Sequence, residues 1–122
     1  MRPLPIAIIV GSILLLLGGA VFLTSGTPTA NQTGLDDFAR CLSSKNVVMY
    51  GTYSCSHCQN TKKMFGSSFQ YVNYVECTVQ TQKCIDQKIE AYPTWVFSET
   101  SREVGEMPLE KLSQISGCSL PQ

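Results

Sequence analysis

The sequence predicts an α/β domain, in which helices cover both faces of a mixed four-stranded sheet, preceded by one N-terminal transmembrane helix. Two observations lead to this prediction. Residues 6–23 form an uncharged apolar run. The rest of the chain alternates short runs of β-branched and aromatic residues with segments of helical periodicity, which is typical of α/β folds. We expect helix-linked strands to pair in parallel and the last two strands to form an antiparallel hairpin.

The apolar run has the length of a membrane span. Its 18 residues would form a helix of about 27 Å, close to the hydrocarbon core of about 30 Å. A cleaved signal peptide is the alternative, but its apolar region is usually only about 7–15 residues long, and Pro28 disfavours the nearest cleavage site. We predict a retained single-pass anchor over residues 1–23. Arg2 and the starting amine should stay cytoplasmic, which places the domain on the periplasmic, lumenal or cell-surface side.

Residues 24–33 are small, polar and without periodicity, which predicts a flexible linker to a folded domain over residues 34–122. Thr33 and Asp36 resemble a capping box that begins the first helix. The apolar residues of that helix share one face: Leu35, Phe38 and Leu42.

Periodicity, glycine and proline place the remaining elements. Strands are predicted at residues 47–51, 71–75, 94–97 and 102–105, and further helices at residues 56–65, 79–89 and 108–116, with Gly117 ending the last. In the helix at residues 79–89, the side chains of Cys84, Ile85 and Ile89 are expected to face the core.

Cys55 and Cys58 carry the strongest chemical signal. They form a Cys-x-x-Cys pair between a predicted buried strand and the start of a helix. A sulfur at a helix N-terminus faces unpaired N–H groups and the positive end of the helix dipole, which favour the thiolate that attacks disulfides. We assign Cys55 as the nucleophile and Cys58 as the thiol that resolves the mixed disulfide. His57 should stabilise the reduced pair, as a positive charge or as a hydrogen-bond donor to the Cys55 sulfur.

A second element, Tyr92-Pro93 between a helix and a strand, joins the Cys-x-x-Cys pattern. The combination is similar to thioredoxin-like proteins. This resemblance implies a cis-proline at Pro93 beside the active disulfide and a substrate chain paired with the backbone of Tyr92. Ser54 and Ser56, which flank the first cysteine, are expected to contact the substrate as well.

A closer resemblance covers most of residues 34–118. The motifs that carry it are Phe38–Leu42, Met49–Gly51, Cys55–Gln59, Met64–Gly66, Tyr74–Cys77, Ile89–Trp95 and Leu112–Gly117. As an ordered set, they resemble the thioredoxin-like domain fused to vitamin K epoxide reductase homologues in bacteria and plant plastids. The resemblance implies disulfide exchange with exported proteins and reoxidation by a quinone-linked membrane partner. We expect no bound cofactor or metal.

The chain departs from that family pattern at three points. One predicted membrane segment stands in place of the quinone-reducing four-helix domain, so the redox partner would be a separate chain resembling a vitamin K epoxide reductase homologue. Ser54 stands where many relatives have Trp or another large residue. Met49 stands where many thioredoxins have a buried acid, and the absence of that acid favours an oxidase over a reductase.

The sequence leaves the roles of the other four cysteines open. The resemblance implies a second pair, Cys77 and Cys84, acting as a structural bridge or as a relay; closing so short a loop should contribute about 2–3 kcal/mol. Cys41 and Cys118 either bridge the two ends of the domain or remain buried thiols. Thioredoxin-like folds usually place their first and last helices on opposite faces, which argues against that bridge.

Composition narrows the functional classes. Zero net charge and 15% charged residues, with no basic stripe, argue against a nucleic-acid partner. Six cysteines in 122 residues suit an exported redox domain. We predict a membrane-anchored thiol–disulfide oxidoreductase that oxidises exported proteins. The alternatives are a tethered reductase or isomerase, and a zinc module with four thiolates from Cys55, Cys58, Cys77 and Cys84.

Overall fold

The computed structural model describes residues 30–122. Its elements are α1 (Ala30–Ser44), β1 (Val48–Gly51), α2 (Ser56–Phe65), a 3₁₀ helix (Gly66–Tyr71), β2 (Asn73–Glu76), α3 (Thr81–Asp86), β3 (Thr94–Val96), β4 (Arg102–Val104) and α4 (Leu109–Ser116). No helix within this described range is both long enough and apolar enough to span a membrane. The predicted anchor at residues 1–23 lies outside the described residues.

The strands form one mixed sheet in the order β2-β1-β3-β4. β1 and β2 are parallel, whereas β3 is antiparallel to both β1 and β4. The predicted α/β fold with a mixed four-stranded sheet and a final antiparallel hairpin is confirmed. The expectation that all helix-linked strands pair in parallel is wrong for β3. α3 has only 6 residues, too few to carry the chain back along the sheet. β3 therefore begins at the edge where β1 ends and runs antiparallel to β1.

Side chains alternate across the sheet and bury into two clusters, one on each face. The larger cluster joins β1 and β3 to α1, α2 and α4, through Phe38, Met49, Phe65, Trp95 and Leu112. The smaller cluster joins the sheet to α3, through Tyr50, Cys77, Cys84 and Val96. Helices therefore cover both faces. The first and last helices share a face, contrary to expectation, because both contribute apolar side chains to the cluster around Trp95.

Local signals predicted some boundaries better than others. α2 spans Ser56–Phe65 as predicted, and Gly66 with a φ of 56° ends it. The prediction for α3 was too long, and Ile85, expected in the core, is 61% exposed. α1 begins at Ala30, so residues 30–33, assigned to the linker, are helical. β2 begins at Asn73, later than predicted, because the preceding residues form the 3₁₀ helix.

Candidate active site

Cys55 occupies the N-cap of α2, in the turn that follows β1. Its backbone is extended, with φ −79° and ψ 116°, and its sulfur accepts the backbone N–H of Cys58 at 3.2 Å. The Cys55 N–H donates to the Thr52 carbonyl at 3.3 Å. The sulfur therefore takes the position of the side-chain oxygen that usually caps a helix. Negative charge on this sulfur would face the N–H groups of the first turn.

Cys58 differs from Cys55 in exposure. Both are free thiols, but Cys55 is half-buried, whereas the side chain of Cys58 is fully buried. Burial raises the pKa of the Cys58 thiol to about 12, and its interactions with Cys55 add to the increase. An incoming disulfide can therefore reach the Cys55 sulfur, while Cys58 is placed to react only with Cys55.

Gly51, the last residue of β1, leaves the space that the Cys58 sulfur occupies. A Cβ atom at this position would lie 2.8 Å from Cys58 Sγ and 3.2 Å from Cε2 of Tyr74. The first distance is shorter than real Cβ atoms show, so a side chain at this position would force the sulfur or the backbone to shift. In the sequence, Gly51 belongs to a motif but has no role assigned to it. Its signal was a glycine that ends an apolar strand just before the cysteine pair.

His57 contacts a residue that the sequence analysis missed. Its Nδ1 lies 2.9 Å from Oε2 of Glu106, and the side-chain amide of Asn60 donates to the same oxygen at 3.3 Å. The hydrogen bond with His57 lowers the pKa of Glu106. Within the described residues, no hydrogen bond joins the His57 ring to the Cys55 sulfur, contrary to one of the two predicted roles. Glu106 follows β4, and no local sequence pattern marks it.

The Tyr92–Pro93 segment lies at the same end of the sheet as the cysteines. Its peptide bond is cis, and Pro93 is buried while Tyr92 is 39% exposed. Thr94 pairs with Tyr50, and extending this register places Pro93 beside Gly51. The Pro93 carbonyl accepts the N–H of Gly105 at 2.7 Å, which brings the Glu106 turn next to the proline segment.

The remaining predicted contact residues border the cysteines. Ser54 and Ser56 are both exposed, and their contact with substrate stays a prediction. Tyr53 was not singled out by the sequence analysis, yet its side chain is 69% exposed. Its carbonyl accepts the side-chain amide of Gln59 at 2.8 Å. In the turn before Cys55, the Tyr53 side chain is therefore exposed, while a hydrogen bond from Gln59 of α2 holds the Tyr53 backbone.

Tyr74 and Glu76 of β2 line the buried side of the site. The Tyr74 hydroxyl donates to Oε2 of Glu76 at 2.7 Å. Burial and this hydrogen bond both raise the pKa of Tyr74. The tyrosine therefore stays neutral beside Cys58 over the pH range in which thiols titrate.

The other four cysteines form two disulfide bridges. Cys77 and Cys84 are bonded with a Cα–Cα distance of 5.8 Å, so they are not available as the thiolates of the four-cysteine zinc alternative. Cys41 and Cys118 are also bonded, at 5.8 Å. We expected the first and last helices on opposite faces, which would have kept Cys41 and Cys118 apart. That expectation is wrong, because the two helices share one face. Within the described part of the chain, no cluster of three His, Cys, Asp or Glu side chains is placed to hold a metal ion.

Comparisons with known proteins find related sequences and related structures. No family model matches the chain. Thiol-disulfide oxidoreductase LTO1 of Arabidopsis thaliana is 38% identical over 93 residues, which cover 69% of this chain and 24% of that protein. The chain thus spans about a quarter of the length of this curated relative. The thioredoxin of Fasciola hepatica matches with a TM-score of 0.46 at 18% identity, over 60% of this chain and 79% of that one.

Proposed function

We propose that this chain is a thiol–disulfide oxidoreductase that exchanges disulfides through Cys55 and Cys58. One observation carries the proposal: an accessible thiol caps a helix N-terminus, while the thiol one turn away is buried against it. The helix end favours the attacking thiolate, and the buried partner can release a bound substrate by forming the internal disulfide. The name of the Arabidopsis relative agrees with this chemistry.

In the forward step, a thiolate and a disulfide exchange partners. A substrate thiolate attacks Sγ of Cys55 in the internal disulfide, a mixed disulfide forms, and Cys58 leaves as a thiolate. A second substrate thiolate then attacks the substrate sulfur of the mixed disulfide and releases Cys55. The substrate gains a disulfide and the two cysteines are reduced, so a redox partner must accept two electrons before the next cycle.

The finer parts of the proposal concern place and direction. We propose that the apolar run at residues 6–23 anchors the domain outside the cytoplasm, where exported proteins meet Cys55. Two disulfide-bonded pairs beside the free thiols support an oxidising compartment. Met49 stands where a buried acid would favour reduction, which supports the oxidising direction. A separate quinone-linked membrane protein would then reoxidise the pair.

Trapping tests the exchange chemistry directly. Cys58→Ala should accumulate a covalent adduct between Cys55 and a substrate protein, because Cys58 is absent and cannot displace the substrate by forming the internal disulfide. Cys55→Ala is the matched control and should trap nothing. The adducts should appear on non-reducing gels and vanish on reduction. If Cys58→Ala forms no adduct with any disulfide substrate, the oxidoreductase proposal is wrong.

The reduction potential of the pair tests the direction. Equilibration with glutathione buffers should give a value near that of strong oxidants, about −120 mV, if the chain donates disulfides. A value near about −270 mV would instead indicate a reductase and overturn the oxidising direction while leaving the exchange chemistry in place.

A further inference from the structure

Lys62 is a half-buried cation close to the cysteine pair. It lies one turn beyond Cys58 on α2, beside the exposed Lys63. Its Nζ is 3.8 Å from the centroid of the Tyr74 ring and 5.5 Å from that of Phe69. Among the described residues, the ion pairs are those of His57 with Glu106 and Lys111 with Glu103. The Lys62 ammonium therefore lies over aromatic faces, and within the described residues no carboxylate lies at ion-pair distance from it.

The Tyr74 ring joins this cation to the buried sulfur. A Cβ atom added to Gly51 would lie 2.8 Å from Cys58 Sγ and 3.2 Å from Cε2 of Tyr74. The ring below the Lys62 ammonium and the Cys58 sulfur thus flank the same point above Gly51. Burial raises the pKa of the Cys58 thiol, while a backbone hydrogen bond with Thr52 and then the positive charge of Lys62 lower it.

The other titratable groups around Cys58 come from two elements. Cys55 faces it from the N-cap of α2, and Tyr74 with its carboxylate partner Glu76 faces it from β2. The Glu76 carboxylate is engaged by the Tyr74 hydroxyl. Among these groups, Lys62 supplies the positive charge.

We propose that Lys62 is a positioning residue whose ammonium stabilises the thiolate form of Cys58 during disulfide exchange. The inference rests on the proposed function. Cys58 is an anion at two points: it leaves as a thiolate when Cys55 is attacked, and it attacks as a thiolate when a mixed disulfide is resolved. A buried thiolate has lost its hydration, so a nearby cation lowers its free energy more than it would in water.

A chromogenic aromatic disulfide, dithiobis-nitrobenzoate, separates the two half-reactions in the reduced full-length chain. In the first phase, the Cys55 thiolate attacks the reagent, a mixed disulfide forms and one coloured thiolate leaves. In the second phase, the Cys58 thiol gives its proton to solvent and its sulfur attacks Sγ of Cys55. The internal disulfide forms and a second coloured thiolate leaves. Two cysteines are oxidised and one reagent disulfide is reduced.

Lys62→Met, which keeps the stem and removes the charge, should slow the second phase at neutral pH by roughly two- to threefold, because the Lys62 charge affects the Cys58 thiol less than burial and the hydrogen bonds do. Its pH profile should move to higher pH, while the first phase stays unchanged. Lys62→Arg should restore the second phase because it keeps a cation over the Tyr74 ring. Lys63→Met, at the neighbouring exposed position, is the matched control and should behave as wild type.

The reduction potential separates this role from a packing role. Cys58 is protonated in the reduced pair at neutral pH, so Lys62→Met should leave the potential unchanged. A wild-type second phase in Lys62→Met, an equal loss in Lys63→Met, or both phases slowing with a shifted potential would overturn the inference. If the wild-type chain shows no first phase, the proposed function itself is wrong and the inference falls with it.

Discussion

Two neighbouring parallel strands, β1 and β2, each lead into a cysteine pair, and the pairs are built differently. The strand ends are joined, because the N–H of Cys77 donates to the Gly51 carbonyl at 2.8 Å. Cys77 and Cys84 are bonded to each other and are 5% and 4% exposed. Cys55 is half-buried and caps a helix, with only its partner fully buried. In both pairs the two cysteines are close in sequence, so spacing does not separate the pairs. The solvent exposure of Cys55 and its position at a helix N-terminus distinguish the reactive pair from the structural one.

The largest expected effect on activity comes from alanine substitutions in the two cysteine pairs. Cys55→Ala removes the only accessible nucleophile of the pair and should reduce disulfide exchange to the uncatalysed background. The double variant Cys77→Ala/Cys84→Ala should retain most of the exchange rate, because that bridge has no proposed part in the chemistry. The rate of oxidation of a reduced model peptide measures both. An equal loss in the two variants would assign Cys77 and Cys84 to the relay role.

The second prediction compares the two bridges in stability. The Cys41–Cys118 bridge spans 77 positions and the Cys77–Cys84 bridge spans 7. In the chain-entropy model, the longer loop contributes about 4.5 kcal/mol and the shorter about 2.4 kcal/mol to the free energy of unfolding. Urea unfolding of the two double-alanine variants should therefore show a larger loss for Cys41→Ala/Cys118→Ala. The opposite order would indicate that α1 and α4 hold together without their bridge.

Gly51→Ala tests the packing on the reactive side. Its Cβ atom would meet the Cys58 sulfur at 2.8 Å, and relief requires movement of β1 or α2. Overpacking of this kind costs about 1–3 kcal/mol, and the displaced Cys58 should resolve mixed disulfides more slowly. Urea unfolding and the second chromogenic phase measure the two effects. Wild-type behaviour in both would show that the sulfur has free space elsewhere.

The reactive pair could be predicted from sequence because its signals are local. A buried strand, the Cys-x-x-Cys pair and Gly66 determined α2 correctly from Ser56 to Phe65. The short α3 could not be predicted, since nothing near Ile85 shows that packing leaves its side chain exposed. Local signals therefore sufficed for α2, whose ends are set by residues next to it in the sequence.

Contacts between distant segments were beyond the sequence. Glu106 reaches His57 across 49 positions, on a turn that is placed by the hydrogen bond between Gly105 and Pro93. The Cys41–Cys118 bridge likewise depends on α1 and α4 sharing a face, which follows from how both fill the cluster around Trp95. Such contacts depend on tertiary packing, which composition and periodicity leave open.

The smallest predicted effect concerns Glu76, at the junction of the two cysteine pairs. Burial alone would raise the pKa of this carboxyl, but hydrogen bonds from Tyr74, Thr78 and the Tyr53 backbone outweigh it and lower the pKa. A carboxyl whose pKa is lower in the folded chain than in the unfolded chain stabilises the fold at pH values above the ordinary pKa of glutamate. It loses that contribution as pH falls through its folded pKa.

Glu76→Gln should therefore flatten the acid side of the stability curve, because the variant has no carboxyl to protonate there. Urea midpoints measured from neutral pH to below the ordinary glutamate pKa would show this, with exposed Glu99→Gln as the matched control. Wild type and control should lose stability together as pH falls, while Glu76→Gln loses less. An acid slope in Glu76→Gln equal to that of wild type would mean that the hydrogen bonds of Glu76 do not distinguish its charged form, and that the strand end beside Cys77 is held by backbone contacts alone.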